Sequence, residues 1–97
     1  TAGDLRGTRA LDLATGTGDL AYRLHAAGAR VVGLDVTPRM IELACAKRVG
    51  PDGPRFLVGD MTALPFPSAS FDLVTTGYGL RNTPDLPGAL DEILRVL

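Results

Sequence analysis

Leu11-Asp12-Leu13-Ala14-Thr15-Gly16-Thr17-Gly18-Asp19 is the stretch that decides how this chain reads. An apolar run ends beside an acid and passes through five small residues. Leu20, Ala21, Leu24 and Ala27 then recur at helical spacing, and Gly28 stands where a helix-terminating glycine belongs. This is the signature of a strand that turns tightly into a helix. Only small residues at such a turn let the backbone come close to a ligand.

Working outward, residues 10–14, 30–36, 55–59 and 71–76 form short, nearly continuous apolar runs bounded by Gly, Pro or Asp. They are predicted to be buried parallel strands. Thr37-Pro38 supplies an N-cap and a first-turn proline for a second helix. Its apolar face is Ile41, Ala44 and Cys45 and extends toward Val49, which puts Cys45 in the core as a small hydrophobe. Residues 51–54 end that helix. Leu90, Ile93, Leu94 and Leu97 recur at helical spacing within 86–97 and predict a third helix. The link at 61–70 holds two prolines and several small residues, so it reads as a loop with one helical turn.

The order βαβαβ, irregular link, βα makes the chain an α/β protein. The expected architecture is a partial Rossmann-like fold: a parallel sheet in the order 3-2-1-4, with flanking helices and right-handed crossovers. Its ligand crevice lies between strands one and four, where the order reverses. Phe66 and Phe71 read as core aromatics, Asp72 as a residue that fixes loop geometry, and His25 as a solvated surface residue.

Composition narrows the field. A chain of 97 residues allows one domain, and a net charge of -1 without a basic run offers no footprint for a nucleic-acid backbone. The single cysteine excludes an internal disulfide and leaves no cysteine cluster for a metal, so no metal is expected. A reducing, cytoplasmic setting follows from that cysteine usage. No apolar run is long enough to cross a bilayer, and no transmembrane segment is expected.

Two cofactor readings compete for the turn. Gly16, Gly18 and Ala21 satisfy a loose G-x-G-x-x-A dinucleotide pattern, and Asp35 ends the next strand where a ribose-binding acid belongs. A dinucleotide, however, brings a pyrophosphate that Asp12 and Asp19 would repel. S-adenosyl-L-methionine has no phosphate and offers an ammonium and a sulfonium, for which Asp12 and the Ala14 carbonyl are acceptors. The turn amides suit its carboxylate. Asp60 and Met61 follow strand three, where a carboxylate accepts from an adenine amino group and the next residue contacts the ring. An acid at a strand end is also a common N-cap, but Asp12, Asp35 and Asp60 end three successive strands together.

The succession LDLATGTGD at 11–19, GLD at 33–35, GDMTALPFPSASFD at 59–72 and GYGLRN at 77–82 resembles the motifs of class I S-adenosylmethionine-dependent methyltransferases, in order, over nearly the whole chain. The LPFP-x-x-SFD stretch and GLRN are narrower and are similar to the ubiquinone and menaquinone biosynthesis C-methyltransferases. The resemblance implies that Asp35, with Val36 beside it, holds the ribose. Thr15, Gly16, Thr17 and Gly18 line the methionine end, Asp60 and Met61 hold adenine, and Gly77 flanks the cofactor. It also implies methyl transfer to a ring carbon of a lipophilic small-molecule acceptor. Arg81, with Tyr78 or Asn82, is the candidate group for stabilising the acceptor's phenolate. Ala14 stands where the commonest family pattern has glycine, and little loss is expected because the strand end does not obviously demand a positive φ.

In the family the sheet continues past four strands and an N-terminal segment helps to build the substrate pocket, so the chain is expected to be a fragment without turnover of its own. A homodimer is left open. The rivals are another small-molecule methyltransferase of the same fold, a nicotinamide-dependent oxidoreductase, and a module that binds cofactor without turning it over.

Overall fold

The computed structural model describes residues 4–76, 80 and 82–97. Its elements are β1 (Arg9–Leu13), α1 (Asp19–Ala26), β2 (Arg30–Asp35), α2 (Pro38–Ala46), β3 (Arg55–Val58), β4 (Leu73–Thr76) and α3 (Leu86–Val96). All strand pairs are parallel and the sheet order is β3-β2-β1-β4, the order expected from the sequence. After β3 the chain crosses back over β2 and β1 to reach β4 on the far side of the sheet. The order therefore reverses between β1 and β4.

Side chains alternate across β1. Ala10 faces a cluster with Ala21, Leu24, Ala29 and Val31, whereas Leu11 and Leu13 face Leu34, Leu64, Phe71 and Val96. Burial on both faces explains why this central strand reads as a continuous apolar run. The irregular link at 61–70 contains turns but no helix. Arg95 ties it down, donating to the carbonyls of Phe66 at 2.8 Å and Leu64 at 3.0 Å, while Glu92 accepts from the Leu64 amide at 2.7 Å. Phe66 and Phe71 meet edge to face, with centroids 5.0 Å apart, as core aromatics.

Several expectations are corrected. Cys45 is exposed, because α2 meets the sheet along Ile41 and Ala44 and Cys45 lies round the helix from that line. Val49 lies beyond the end of α2 and is exposed. β3 is not a buried strand. It is one edge of the sheet, β4 being the other, and Leu57 and Val58 are open to solvent. On α3 the buried positions are Ala89 and Val96, while Leu90, Leu94 and Leu97 are exposed, since helical spacing marks an apolar arc wider than the part this sheet covers. β4 starts two residues later than expected because the Phe71 amide donates to Val96 and the Asp72 amide to Arg9 before the ladder begins. Asp72 fixes this corner, as its sequence position suggested, by accepting from the Arg9 amide and guanidinium.

Candidate functional site: a crevice at the strand ends

The turn after β1 alternates its backbone sign. Ala14 has φ 52°, Gly16 58° and Gly18 85°. Position 14 therefore does require the left-handed region, contrary to the expectation from sequence, and that is the physical reason a glycine suits it. The turn is tied to β2 by the Thr15 amide donating to the Leu34 carbonyl (3.0 Å) and the Gly16 amide donating to Asp35 Oδ2 (2.9 Å). A β-carbon on Gly18 would lie 2.8 Å from Cζ of Phe56, so the start of α1 rests on that β3 ring. Tyr22 packs against Phe56 at 5.6 Å between centroids, and its hydroxyl donates to the Ala44 carbonyl at 2.7 Å, joining α1 to α2.

The three strand-end acids have three different environments, and none is a helix N-cap. Asp12 is 2% exposed, and its oxygens accept from Thr15 Oγ1 (2.8 Å) and Thr75 Oγ1 (2.7 Å). Burial raises its pKa above the ordinary carboxylate range, against the pull of those two hydroxyls. Asp35 accepts from the Gly16 amide on one oxygen and the Thr37 amide on the other. That second bond takes the place of the expected side-chain cap, for the Thr37 hydroxyl caps nothing. Asp60 accepts the amide and hydroxyl of Thr62 on Oδ1, and these bonds hold its pKa below the ordinary range. Each of these oxygens retains acceptor capacity, since a carboxylate offers about four lone-pair sites.

A cavity of about 430 Å³ opens at the C-terminal ends of β2 and β3, lined by Ala14, Leu34, Asp35, Val36, Gly59, Asp60, Met61, Asn82, Thr83 and Pro84. Of the residues singled out from sequence, it gathers Ala14, Asp35, Val36, Asp60, Met61 and Asn82. Asp12, Thr15, Gly16, Thr17 and Gly18 do not line it. They form the base and the turn that shape its wall. Gly77, Tyr78 and Arg81 lie outside the described residues. A larger hollow of about 840 Å³ lies at the opposite strand ends, among Arg9, Arg30 and Arg55, and holds none of these residues.

Among the described residues the crevice has two carboxylates and no basic side chain. It suits a ligand rich in hydroxyl, amino or cationic groups and not a pyrophosphate. Asp19 contributes less to that argument than its position suggested, because Lys47 Nζ donates to it at 2.8 Å.

Sequence reading missed Leu34, Gly59, Thr83 and Pro84 of the lining, and the supporting Gly33, Phe56 and Thr75. A lone glycine inside a strand signals close approach, so Gly33 was findable. Thr75 gives no such signal, because its partner stands 63 positions away.

A doubly wound parallel sheet with acids at the crevice defines the class of Rossmann-like S-adenosylmethionine-dependent methyltransferase folds. A solved S-adenosylmethionine-dependent methyltransferase from Mesorhizobium loti matches with a TM-score of 0.88 at 28% identity, over 97% of this chain and 44% of that one. Residues 1–97 match the ubiE/COQ5 methyltransferase family, and the chain belongs to it. It is 48% identical over 100 residues to the demethylmenaquinone methyltransferase of Lactococcus lactis, a match that covers 98% of this chain and 40% of that protein. It is 51% identical over 92 residues to the one from Thermus thermophilus, covering 92% of this chain and 42% of that protein. The chain thus spans about two-fifths of the length of these relatives.

Proposed function

We propose that this chain holds S-adenosyl-L-methionine in the crevice at the ends of β2 and β3, and that the enzyme it serves methylates a ring carbon of a lipophilic quinol precursor in the cytoplasm. The observation that carries the cofactor reading is the pairing of Asp35 and Asp60 across one cavity without a cation among its described lining. The acceptor rests on the identity to demethylmenaquinone methyltransferases.

The residues present fit the cofactor. Asp35 accepts from ribose hydroxyls with the lone pairs its amide bonds leave, and Asp60 Oδ2 accepts from the adenine amino group. The Met61 and Val36 side chains supply apolar contact for the ring. Asp12 places a negative charge beneath the turn that faces the cationic end. Bound there, the cofactor supplies an already activated methyl on a sulfonium, so what remains for the protein is alignment and exclusion of water. Arg81, with Tyr78 or Asn82, follows β4 and stabilises the acceptor's phenolate as its hydroxyl proton leaves to water, which makes the ring carbon the nucleophile; the hydrogen of that carbon leaves as a proton once the methyl is bonded, restoring the aromatic ring. Arg81→Ala is then expected to lower turnover more than cofactor affinity, and unchanged turnover would remove Arg81 from the mechanism.

The test of the cofactor reading is calorimetric titration with S-adenosylhomocysteine beside NAD, on the wild-type chain and on Asp35→Ala. Saturable binding that the variant loses, with none for NAD, is expected. A folded chain that binds NAD instead would overturn the reading. The 97-residue chain is expected to bind without turning over.

A further inference from the structure

We infer that Thr75 is a positioning residue for the cofactor: its hydroxyl holds the Asp12 carboxylate and so sets the turn at 14–18 against the end of β4. The inference rests on the cofactor reading above.

Asp12 lies on the central strand, directly opposite Gly33 of β2 and Thr75 of β4. One carboxylate oxygen takes the hydroxyl of Thr15 in the turn, and the other takes that of Thr75. Each oxygen thus reports on a different element, and the carboxylate is the link between them. No cation pairs with it among the described residues, although it is nearly inaccessible to water. A buried carboxylate without a counter-ion depends on its hydrogen bonds, and each bond to an ionised group is worth more than one between neutral groups. Gly33 completes the arrangement by having no side chain. A β-carbon there would stand 2.7 Å from Thr15 Oγ1, so the hydroxyl can lie over β2 only because position 33 is bare.

Removing the Thr75 hydroxyl leaves one oxygen of Asp12 without a donor in a site water scarcely reaches. The carboxylate then either turns toward Thr15, moving the turn, or gains a proton, removing the negative charge beneath the cationic end of the cofactor. Both weaken binding. Neither involves contact between Thr75 and the ligand, which is why it is a positioning residue and not a catalytic one.

The experiment compares wild type, Thr75→Val and Thr75→Ser in the active enzyme, measuring S-adenosylhomocysteine affinity by calorimetry alongside thermal melting. Val keeps the shape and loses the donor, whereas Ser keeps the donor and loses the methyl. Thr75→Val is expected to lose about tenfold or more in affinity, the equivalent of one hydrogen bond to a charged group, with Thr75→Ser within about threefold of wild type. Val binding as tightly as wild type, or Ser failing as badly as Val, would overturn the inference alone. No binding by folded wild type would overturn the cofactor reading and this inference with it. If Thr75→Val does not melt cooperatively, Thr75→Ala replaces it. Loss in Ala with retention in Ser supports the inference, and equal affinity in the two overturns it.

Discussion

The Thr15 hydroxyl oxygen lies 2.7 Å from where a β-carbon on Gly33 would stand, and Cδ1 of Phe56 is equally near. The bare backbone of β2 is therefore the floor on which the ligand turn rests. Gly33→Ala must displace either a hydroxyl bonded to a buried carboxylate or a ring wedged against α1. It is expected to destabilise the chain by about 1–3 kcal/mol and to weaken S-adenosylhomocysteine binding. Urea denaturation reads the first effect, and an unchanged midpoint would mean that neither group is held.

Ala14 adopts φ 52° without being glycine. The left-handed region costs an alanine about 1–2 kcal/mol, while glycine's freedom in the unfolded chain costs about 0.4–1 kcal/mol. Ala14→Gly is therefore expected to raise stability by up to about 1 kcal/mol and to keep cofactor affinity. A lower melting temperature would show that the strain is illusory.

Asp12 carries a raised pKa from burial, so its ionised form costs the folded state stability. For an acid shifted upward, that cost is absent below the unfolded pKa. It grows as pH rises toward the folded one and is complete above it. Asp12→Asn removes the charge; of the Thr15 and Thr75 hydroxyls, the one facing the new amide nitrogen turns to accept from it and the other goes on donating to the remaining oxygen. At neutral pH the variant is expected to be as stable as wild type or more so, yet to bind S-adenosylhomocysteine at least about tenfold more weakly. A variant that is markedly less stable and binds normally would reverse the assignment of this acid from function to structure.

Asp72 has its pKa lowered to about 2 by the Arg9 guanidinium and amide. An acid shifted downward contributes stability that is present above its unfolded pKa and is lost as pH falls through the folded value. The wild-type melting temperature is expected to drop between roughly pH 4 and pH 2, and that part of the drop should be missing in Asp72→Asn. The pair is half exposed, so the difference is expected to be small and to shrink further with added salt. Parallel melting curves for the two proteins across this range would rule the pair out as a source of acid sensitivity.

Most of the architecture was legible in the sequence because it follows from local pattern. Apolar runs bounded by glycine and proline become parallel strands, and helical spacing gives three helices. Acids at successive strand ends mark the open side of the sheet. Asp35, Asp60 and Met61 could be assigned to one crevice because topology alone brings the ends of β2 and β3 together.

Residue pattern by itself thus determined the elements, their order and the end of the sheet that carries the site. What only the tertiary structure decided is which surfaces another element covers and which distant groups meet. Cys45, Leu90 and Leu94 belong to the apolar arcs that helical spacing marks, yet they are exposed, since periodicity states which positions are apolar and not which of them another element covers. Asp12 and Thr75 meet because parallel register sets them side by side across 63 positions of chain. That register is settled by packing of the whole sheet, and no local stretch of residues encodes it.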